Sequence, residues 1–388
     1  MKILSNVALA AMAAVALASC QKNEVISGTG TVDNGAIDFT TYTGPILRGT
    51  VKSGTQFNDG DAFKVFGYTG TETIFDGVDV TKGADGWSYD KEKFWDASQT
   101  YNFRAIHPGA LGVSGTEGFT PSFSMKEGKV EVDLPAEASK HQDLTYAVAM
   151  GVKSTNRDGS QEGARSTGHV KLNFKHAMAQ LNFKAKVDAS AKYGSITVKS
   201  IEICNLDKKG TFTYPASNGA DGTWTLDKSA PNNRSNFPAD LDSKEVKATK
   251  GEEAVVVSNV NNPMLLIPQA ANKWDVEAQP VKKISEMKNY DEKKVYAKIV
   301  VMFKDKEDKV IKYGDNTDKD GYTTILMPFD LTLTAGRNHT ITFVFGKKDS
   351  KGGGAGYDED GNKIADDDII SFEATLTDFV TDDGGMTL

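Results

Sequence analysis

Apolar and polar residues alternate along most of this chain in short runs that end at turns, and that pattern constrains the fold more than any other feature. Alternation at period two puts every second side chain on one face of an extended strand, so each run reads as a half-buried strand with one wet face. Tyr101, Phe103 and Ala105 share a face in this way. So do Val170, Leu172, Phe174 and His176, and then Leu181, Phe183, Ala185 and Val187. Shorter runs fall at residues 62–67 and 130–134. The pattern continues through residues 196–204, 211–214, 224–226 and 255–257, and its longest clean stretch is Val295, Ala297, Ile299, Val301 and Phe303. Ile341, Phe343 and Phe345, and finally Ile370, Phe372, Ala374 and Leu376, close the series. Only residues 276–294 could hold a modest helix. The 37 glycines against 11 prolines, with Thr, Val and Phe plentiful, suit strands joined by tight turns. Strand-helix-strand units are absent, so the sequence predicts an all-β protein of antiparallel β-sandwiches. At about 100–200 residues per domain, 388 residues make two, with the boundary near His176: an N-terminal sandwich over 36–175 and a C-terminal one over 176–388.

The 45 basic and 53 acidic side chains give a net charge of 45 − 53 = −8, which disfavours a nucleic-acid groove, and no nucleic-acid partner is expected. With 39% hydrophobic residues the chain can bury a core. Its two cysteines, Cys20 and Cys204, sit in different settings. Lys2, an apolar run over residues 7–17 and then Leu17-Ala18-Ser19-Cys20 read as a lipoprotein signal peptide, 1–19, ending in a lipobox. That run is 11 residues, short of the ~20 that span a bilayer as a helix. Cys20 is therefore the expected lipidation site, and the polar, glycine-bearing segment 20–35 a tether. With Cys20 acylated, Cys204 has no disulfide partner and reads as a small core residue of its strand.

Catalytic chemistry finds little purchase. His107, His141, His169, His176 and His339 include no H-E-x-x-H and no i, i+4 pair, and a lone Cys204 offers no thiolate pair, so no metal site is expected. There is no G-x-S-x-G elbow. The S-x-x-K matches at Ser88 and Ser285 lack companion motifs, and the glycine run at 352–356 lacks the G-K-[ST] of a phosphate cradle. No enzyme activity and no cofactor are expected. Two acidic loops, around Asp318 and Asp358, place oxygen ligands before a glycine as a calcium loop does. Each lacks a required ligand, however, and reads better as a hairpin turn. The aromatic cluster Trp87, Tyr89, Phe94, Trp95, Tyr101 and Phe103 could stack on sugar rings, which leaves open a surface lipoprotein that binds glycans without polymerising. The same residues also fit as inward faces of paired strands.

Several motifs form an ordered series. After the lipobox come Ile37-Asp38-Phe39, Leu47-Arg48-Gly49 and Phe57-Asn58-Asp59-Gly60-Asp61-Ala62-Phe63-Lys64-Val65-Phe66-Gly67-Tyr68. Trp87-Ser88-Tyr89, Lys93-Phe94-Trp95 and Asp143-Leu144-Thr145-Tyr146-Ala147 follow. The most specific segment is Leu172-Asn173-Phe174-Lys175-His176-Ala177-Met178-Ala179-Gln180-Leu181-Asn182-Phe183. In this order, from Cys20 to about Phe345, they resemble the Bacteroidetes fimbrillin-like (Mfa-like) proteins.

The resemblance implies a type V pilus subunit with two tandem transthyretin-like β-sandwich domains. Such a subunit is an outer-membrane lipoprotein exported to the cell surface and built into adhesive fimbriae. Its partners are other fimbrial subunits, the membrane through its lipid before maturation, and ligands on host or bacterial surfaces. An arginine-specific protease trims it, removing an N-terminal strand whose groove is then filled by a strand from a neighbour, a case of β-augmentation. Arg48 matches the cleavage position, so the cut is expected between Arg48 and Gly49. Arg104 lies in a predicted strand, whereas Arg157 and Arg165 sit in a polar loop and compete. Ile370, Phe372, Ala374 and Leu376 form the candidate donor strand, and the same stripe could equally pair within its own chain.

Overall fold

The computed structural model describes residues 35–43, 57–70, 72–107, 122–124, 128–154, 169–259, 262–275, 293–346, 356–364 and 370–378. In chain order its strands are β1 (Asp38–Thr43), β2 (Ala62–Tyr68), β3 (Thr73–Gly83), β4 (Gly86–Tyr89), β5 (Tyr101–His107), β6 (Ser122–Ser124), β7 (Lys129–Asp133), β8 (Thr145–Val152) and β9 (His169–His176). Next come β10 (Ala179–Val187), β11 (Ser195–Asp207), β12 (Lys209–Thr213), β13 (Thr223–Leu226), β14 (Arg234–Pro238), β15 (Val246–Thr249), β16 (Val255–Val256), β17 (Met264–Leu266) and β18 (Ala270–Lys273). Last are β19 (Lys293–Lys304), β20 (Val310–Ile311), β21 (Thr323–Pro328), β22 (Leu331–Thr332), β23 (Arg337–Phe345) and β24 (Ile370–Asp378). The described helical residues are three single 3-10 turns. The helix allowed by the sequence at 276–294 falls almost wholly outside the described residues.

Four sheets result. The first has the order β1-β9-β8-β5-β2-β3-β4, and the second is β16-β10-β23-β24 with β17 also on β10. The third is built on β11 and β19, and the fourth is β13-β12-β7-β6. Most pairs are antiparallel, as expected. β1 with β9, β10 with β23 and β18 with β19 are parallel. Parallel neighbours need a long crossover, and in the first two cases the chain supplies it by building several other strands in between.

Among the described residues two large apolar cores lie between these sheets, beside a small third cluster of Cys204, Trp274, Tyr296 and Leu326. One face of the first sheet encloses Ile37, Phe39, Phe63, Val65, Phe75, Phe103, Leu172 and Phe174 with their neighbours. The second, larger core lies chiefly between the sheets of β10 and β11, where Phe303 meets Phe345 edge-on at 6.0 Å. Phe66, Ile106 and Tyr146 from the back of the first sheet also join it.

At residues 176–179 the chain leaves the first sheet for the second. Strands on the two sides of that point are nevertheless joined, because β7 pairs with β12 from Lys129↔Thr213 to Asp133↔Lys209. The Tyr214 hydroxyl donates to the Ala105 carbonyl at 3.0 Å, and Tyr146 lies 4.6 Å from Phe212, ring centre to ring centre. The crossing itself is pinned by two of the motif segments. Asp143 Oδ2 accepts from His176 Nδ1 at 2.7 Å, and the Ala177 N–H donates to the Leu144 carbonyl at 2.8 Å. The Asp143 side chain is 1% exposed and that of His176 10%, so this hydrogen bond stands largely out of water.

Candidate functional site

The first sheet ends in a strand that precedes Arg48. Ile37, the residue before β1, and Phe39 within it point inward while Asp38 and Thr40 are only partly buried, and the threonines of β1 favour extended backbone. It runs parallel to β9, with Phe39 opposite Val170 and Thr41 opposite Leu172. On its other flank the Ile37 N–H donates to the Lys93 carbonyl at 2.7 Å, and the Trp95 N–H donates to the Gly35 carbonyl at 3.1 Å. β1 thus occupies a slot between β9 and residues 93–95.

The slot is aromatic. Phe39 meets Phe75 at 5.5 Å, Phe103 at 5.7 Å, Tyr89 at 5.9 Å and Phe63 at 6.2 Å, all edge-to-face. Such ring pairs add to the burial of area itself. Ile37 is fully buried and Phe39 nearly so; together they hold β1 with about 3–6 kcal/mol of apolar burial. Two polar side chains complete the fit. The Tyr89 hydroxyl donates to the Ile37 carbonyl at 2.7 Å, and the Trp87 indole N–H donates to Thr41 Oγ1 at 3.1 Å. Burial raises the Tyr89 pKa above its ordinary value, which keeps the phenol a neutral donor.

Cys20, Arg48 and Gly49, the expected lipidation and processing residues, lie outside the described residues, as do the competing Arg157 and Arg165. Arg104 stands in the middle of β5, its guanidinium 5.0 Å from the centre of the Tyr68 ring. Ile370, Phe372, Ala374 and Leu376 belong to β24, whose backbone pairs antiparallel with β23, placing Phe372 opposite Phe343 and Ala374 opposite Ile341. In this structure the strand is therefore paired within its own chain, at the edge of the second sheet.

The remaining candidates resolve structurally. Trp95, Tyr101 and Phe103 are buried, Trp87 and Tyr89 pack against the same core, and Phe94 is exposed at 59%. No flat platform of two tryptophans is presented. Cys204 is buried in β11, and burial pushes its thiol pKa up, which makes it inert. In the acidic loops, Asp318 Oδ1 accepts from the Asp320 and Tyr322 amides, and Asp358 Oδ1 from the Asp360 and Asn362 amides. Those carboxylates hold turns. Among the described residues no group of three or more His, Cys, Asp or Glu is arranged to hold a metal ion. Alternation alone missed β1, because only Ile37 and Phe39 precede a run of Thr, Thr, Tyr and Thr. The strand-forming threonines beside that pair were the available signal.

Stacked, mainly antiparallel sheets with an edge strand seated in an aromatic slot define a class of all-β proteins whose notable feature is a strand site. The chain belongs to the fimbrillin-like family, whose model matches residues 49–356. Among solved structures it is similar to a fimbrial protein from Bacteroides vulgatus, at 15% identity and TM-score 0.53, over 89% of this chain and 99% of that one. It is also similar to a candidate cell adhesion protein from Parabacteroides distasonis, at 9% identity and TM-score 0.45, over 90% of this chain and 97% of that one. A third, a candidate cell adhesion protein from Bacteroides uniformis, aligns at 13% identity and TM-score 0.42, over 89% and 98% respectively. No curated protein sequence matches the chain.

Proposed function

We propose that this protein is a structural and adhesive subunit of cell-surface fimbriae, assembled by donor-strand exchange. It is lipidated at Cys20, carried by that lipid to the outer membrane, and cut between Arg48 and Gly49 by an arginine-specific protease. The cut frees β1, and a strand from a neighbouring subunit takes the vacated slot. Two tandem sandwich units, before and after His176, are part of this reading. The observation that carries it is the position of β1: it lies at a sheet edge, N-terminal to Arg48, with Phe39 and the preceding Ile37 filling an aromatic slot. Family membership supports the fimbrial role. An empty slot would expose β9 and the Phe63, Phe75 and Phe103 rings, an aggregation hazard that a removable plug prevents.

Purified chain is treated with an arginine-specific protease, and its N-terminus and oligomeric state are read before and after. Wild type is expected to begin at Gly49 and to form detergent-resistant ladders, whereas Arg48→Ala remains a monomer. Ladder formation by Arg48→Ala, or a wild type that is cut only within residues 153–168 and stays monomeric, would overturn the assembly mechanism.

A further inference from the structure

We infer that β9 has two settings: it stands apart from β8 while β1 is seated, and its first half closes onto β8 when β1 leaves. The reading above enters only through how β1 departs; the closure itself rests on the pairing of β9.

β9 is held more by β1 than by its other neighbour. With β1 it has six partner pairs, from Asp38↔His169 to Thr43↔Phe174. With β8 it has two, Thr145↔His176 and Tyr146↔Lys175, at the end where the chain crosses between sheets. Beyond Tyr146 the two strands part, although β8 goes on pairing with β5 through Ala147, Val148 and Ala149. A cavity of about 210 Å³ opens there, with Val148, Ala149 and Val152 on one side and Lys171 and Asn173 on the other.

A side chain stands in this gap where a strand would. Asn218, from the turn between β12 and β13, accepts from the Met150 N–H at 2.7 Å and donates to the Met150 carbonyl at 3.0 Å. One amide side chain thus satisfies both main-chain groups of Met150, as a paired residue does in a ladder. Its turn is anchored to both strands. Lys175 Nζ donates to the Gly219 carbonyl at 2.8 Å and to Asp221 Oδ1 at 2.7 Å, and the Gly222 N–H donates to the Tyr146 hydroxyl at 2.8 Å.

Continuing the register from Tyr146↔Lys175 sets Ala147 against Phe174, Val148 against Asn173, Ala149 against Leu172 and Met150 against Lys171. The faces agree. Ala147, Ala149, Leu172 and Phe174 all belong to the first core, so closure keeps every inward residue inward. What holds the strands apart is β1. Its other flank is bonded to Lys93 and to Tyr89 of β4, at the opposite end of the sheet order, so β1 draws β9 towards residues 89–93 and away from β8. Without that bridge β9 exchanges the ladder it has lost for one with β8, and Met150 exchanges Asn218 for Lys171. The vacated strand is then no longer a bare edge, and an incoming strand must draw β9 back before it can seat.

The test compares uncut and protease-processed chain in a Cys20→Ser background, which leaves only the buried Cys204, at a dilution where no ladders form. Hydrogen exchange is read over residues 147–150 of β8, a strand that is not a neighbour of β1. Departure of β1 should slow exchange there roughly tenfold or more, and a synthetic peptide of residues 35–43 should restore the uncut rate. Val148→Cys with Asn173→Cys, directly opposite in the closed register, should form a disulfide roughly tenfold or more faster after processing. Unchanged exchange over 147–150 and equal disulfide rates, with β1 gone, would show a slot that stays open; they would overturn the closure and leave strand exchange standing. If the fragment ending at Arg48 stays bound after cutting, strand exchange fails instead. The closure is then read in uncut Phe39→Ala chain, where the weakened seat of β1 should speed the same disulfide and an unchanged rate overturns it.

Discussion

At the scale of single residues, the slot and the second core each hold a side chain whose role can be isolated. Phe39 touches four aromatic rings, so Phe39→Ala should cost the unprocessed chain about 3–5 kcal/mol in urea unfolding. The same substitution should leave polymer made after processing unchanged, because the residue has then left the protein. An equal loss in both forms would mean that β1 stays in the mature subunit. His141 illustrates a different physics. Its Nε2 donates to the Pro135 carbonyl at 2.9 Å and its Nδ1 accepts from the Leu265 N–H at 3.1 Å, an arrangement open only to the neutral ring. Burial lowers its pKa to about 4 from 6.5. Between those values the unfolded chain takes up a proton that the folded chain refuses, so stability present above pH 6.5 is lost as pH falls towards 4, by about 3 kcal/mol. Urea midpoints at pH 7.5 and 4.5 should therefore separate further in wild type than in His141→Asn. Equal separations would place the ring in solvent.

Among the elements, the Asp143–His176 pair locks β8 to β9 where the chain passes between sheets. Asp143→Ala leaves a largely buried imidazole without this carboxylate and should lower stability by about 1.5–3 kcal/mol, readable as a fall in the urea midpoint. A change below 1 kcal/mol would show that the pair is solvated and the crossing is held by main-chain bonds alone. The strands also show what the sequence could convey. β5, β9, β10, β19 and β23 were legible because much of each presents one face to a core and the other to water or to a thinner layer. β8 was not. Ala147 and Ala149 face the first core and Tyr146 and Val148 the second, so the run from Tyr146 to Met150 has no polar beat. β17, Met264-Leu265-Leu266, is buried throughout and fails for the same reason. β3 fails for the opposite one: its largely exposed pattern and Asp and Gly content give too few apolar beats. The slot could be named only through resemblance, since its walls come from β9 and residues 93–95, and no spacing along the chain announces that they meet.

Over the whole molecule, the shared β7–β12 ladder and the common core of Tyr146, Phe212 and Ile106 tie the parts of the chain on either side of His176. Unfolding should then be a single event. A variant keeping only Trp95, in the first core, and one keeping only Trp274, beside Tyr296, should report coincident urea transitions by fluorescence. Two separated midpoints would show halves that melt independently. Such coupling suits a fibre subunit, because the fourth sheet takes strands from both sides of His176, and pulling those parts of the chain asunder would break its β7–β12 main-chain hydrogen bonds.

The tether of β1 has a consequence for timing. Only residues 44–56 separate β1 from Phe57 in the first core, so before cleavage the strand rebinds its slot as though present at a local concentration on the order of millimolar. Cutting after Arg48 alters none of the contacts seen inside the slot. In the proposed assembly it would turn a tethered ligand into a free one, and at about micromolar protein that dilution alone is roughly a thousandfold, or about 4 kcal/mol of occupancy. The protease would thus act as a clock: it sets when the competition for the slot becomes intermolecular, and the chemistry of the competing strands sets who wins.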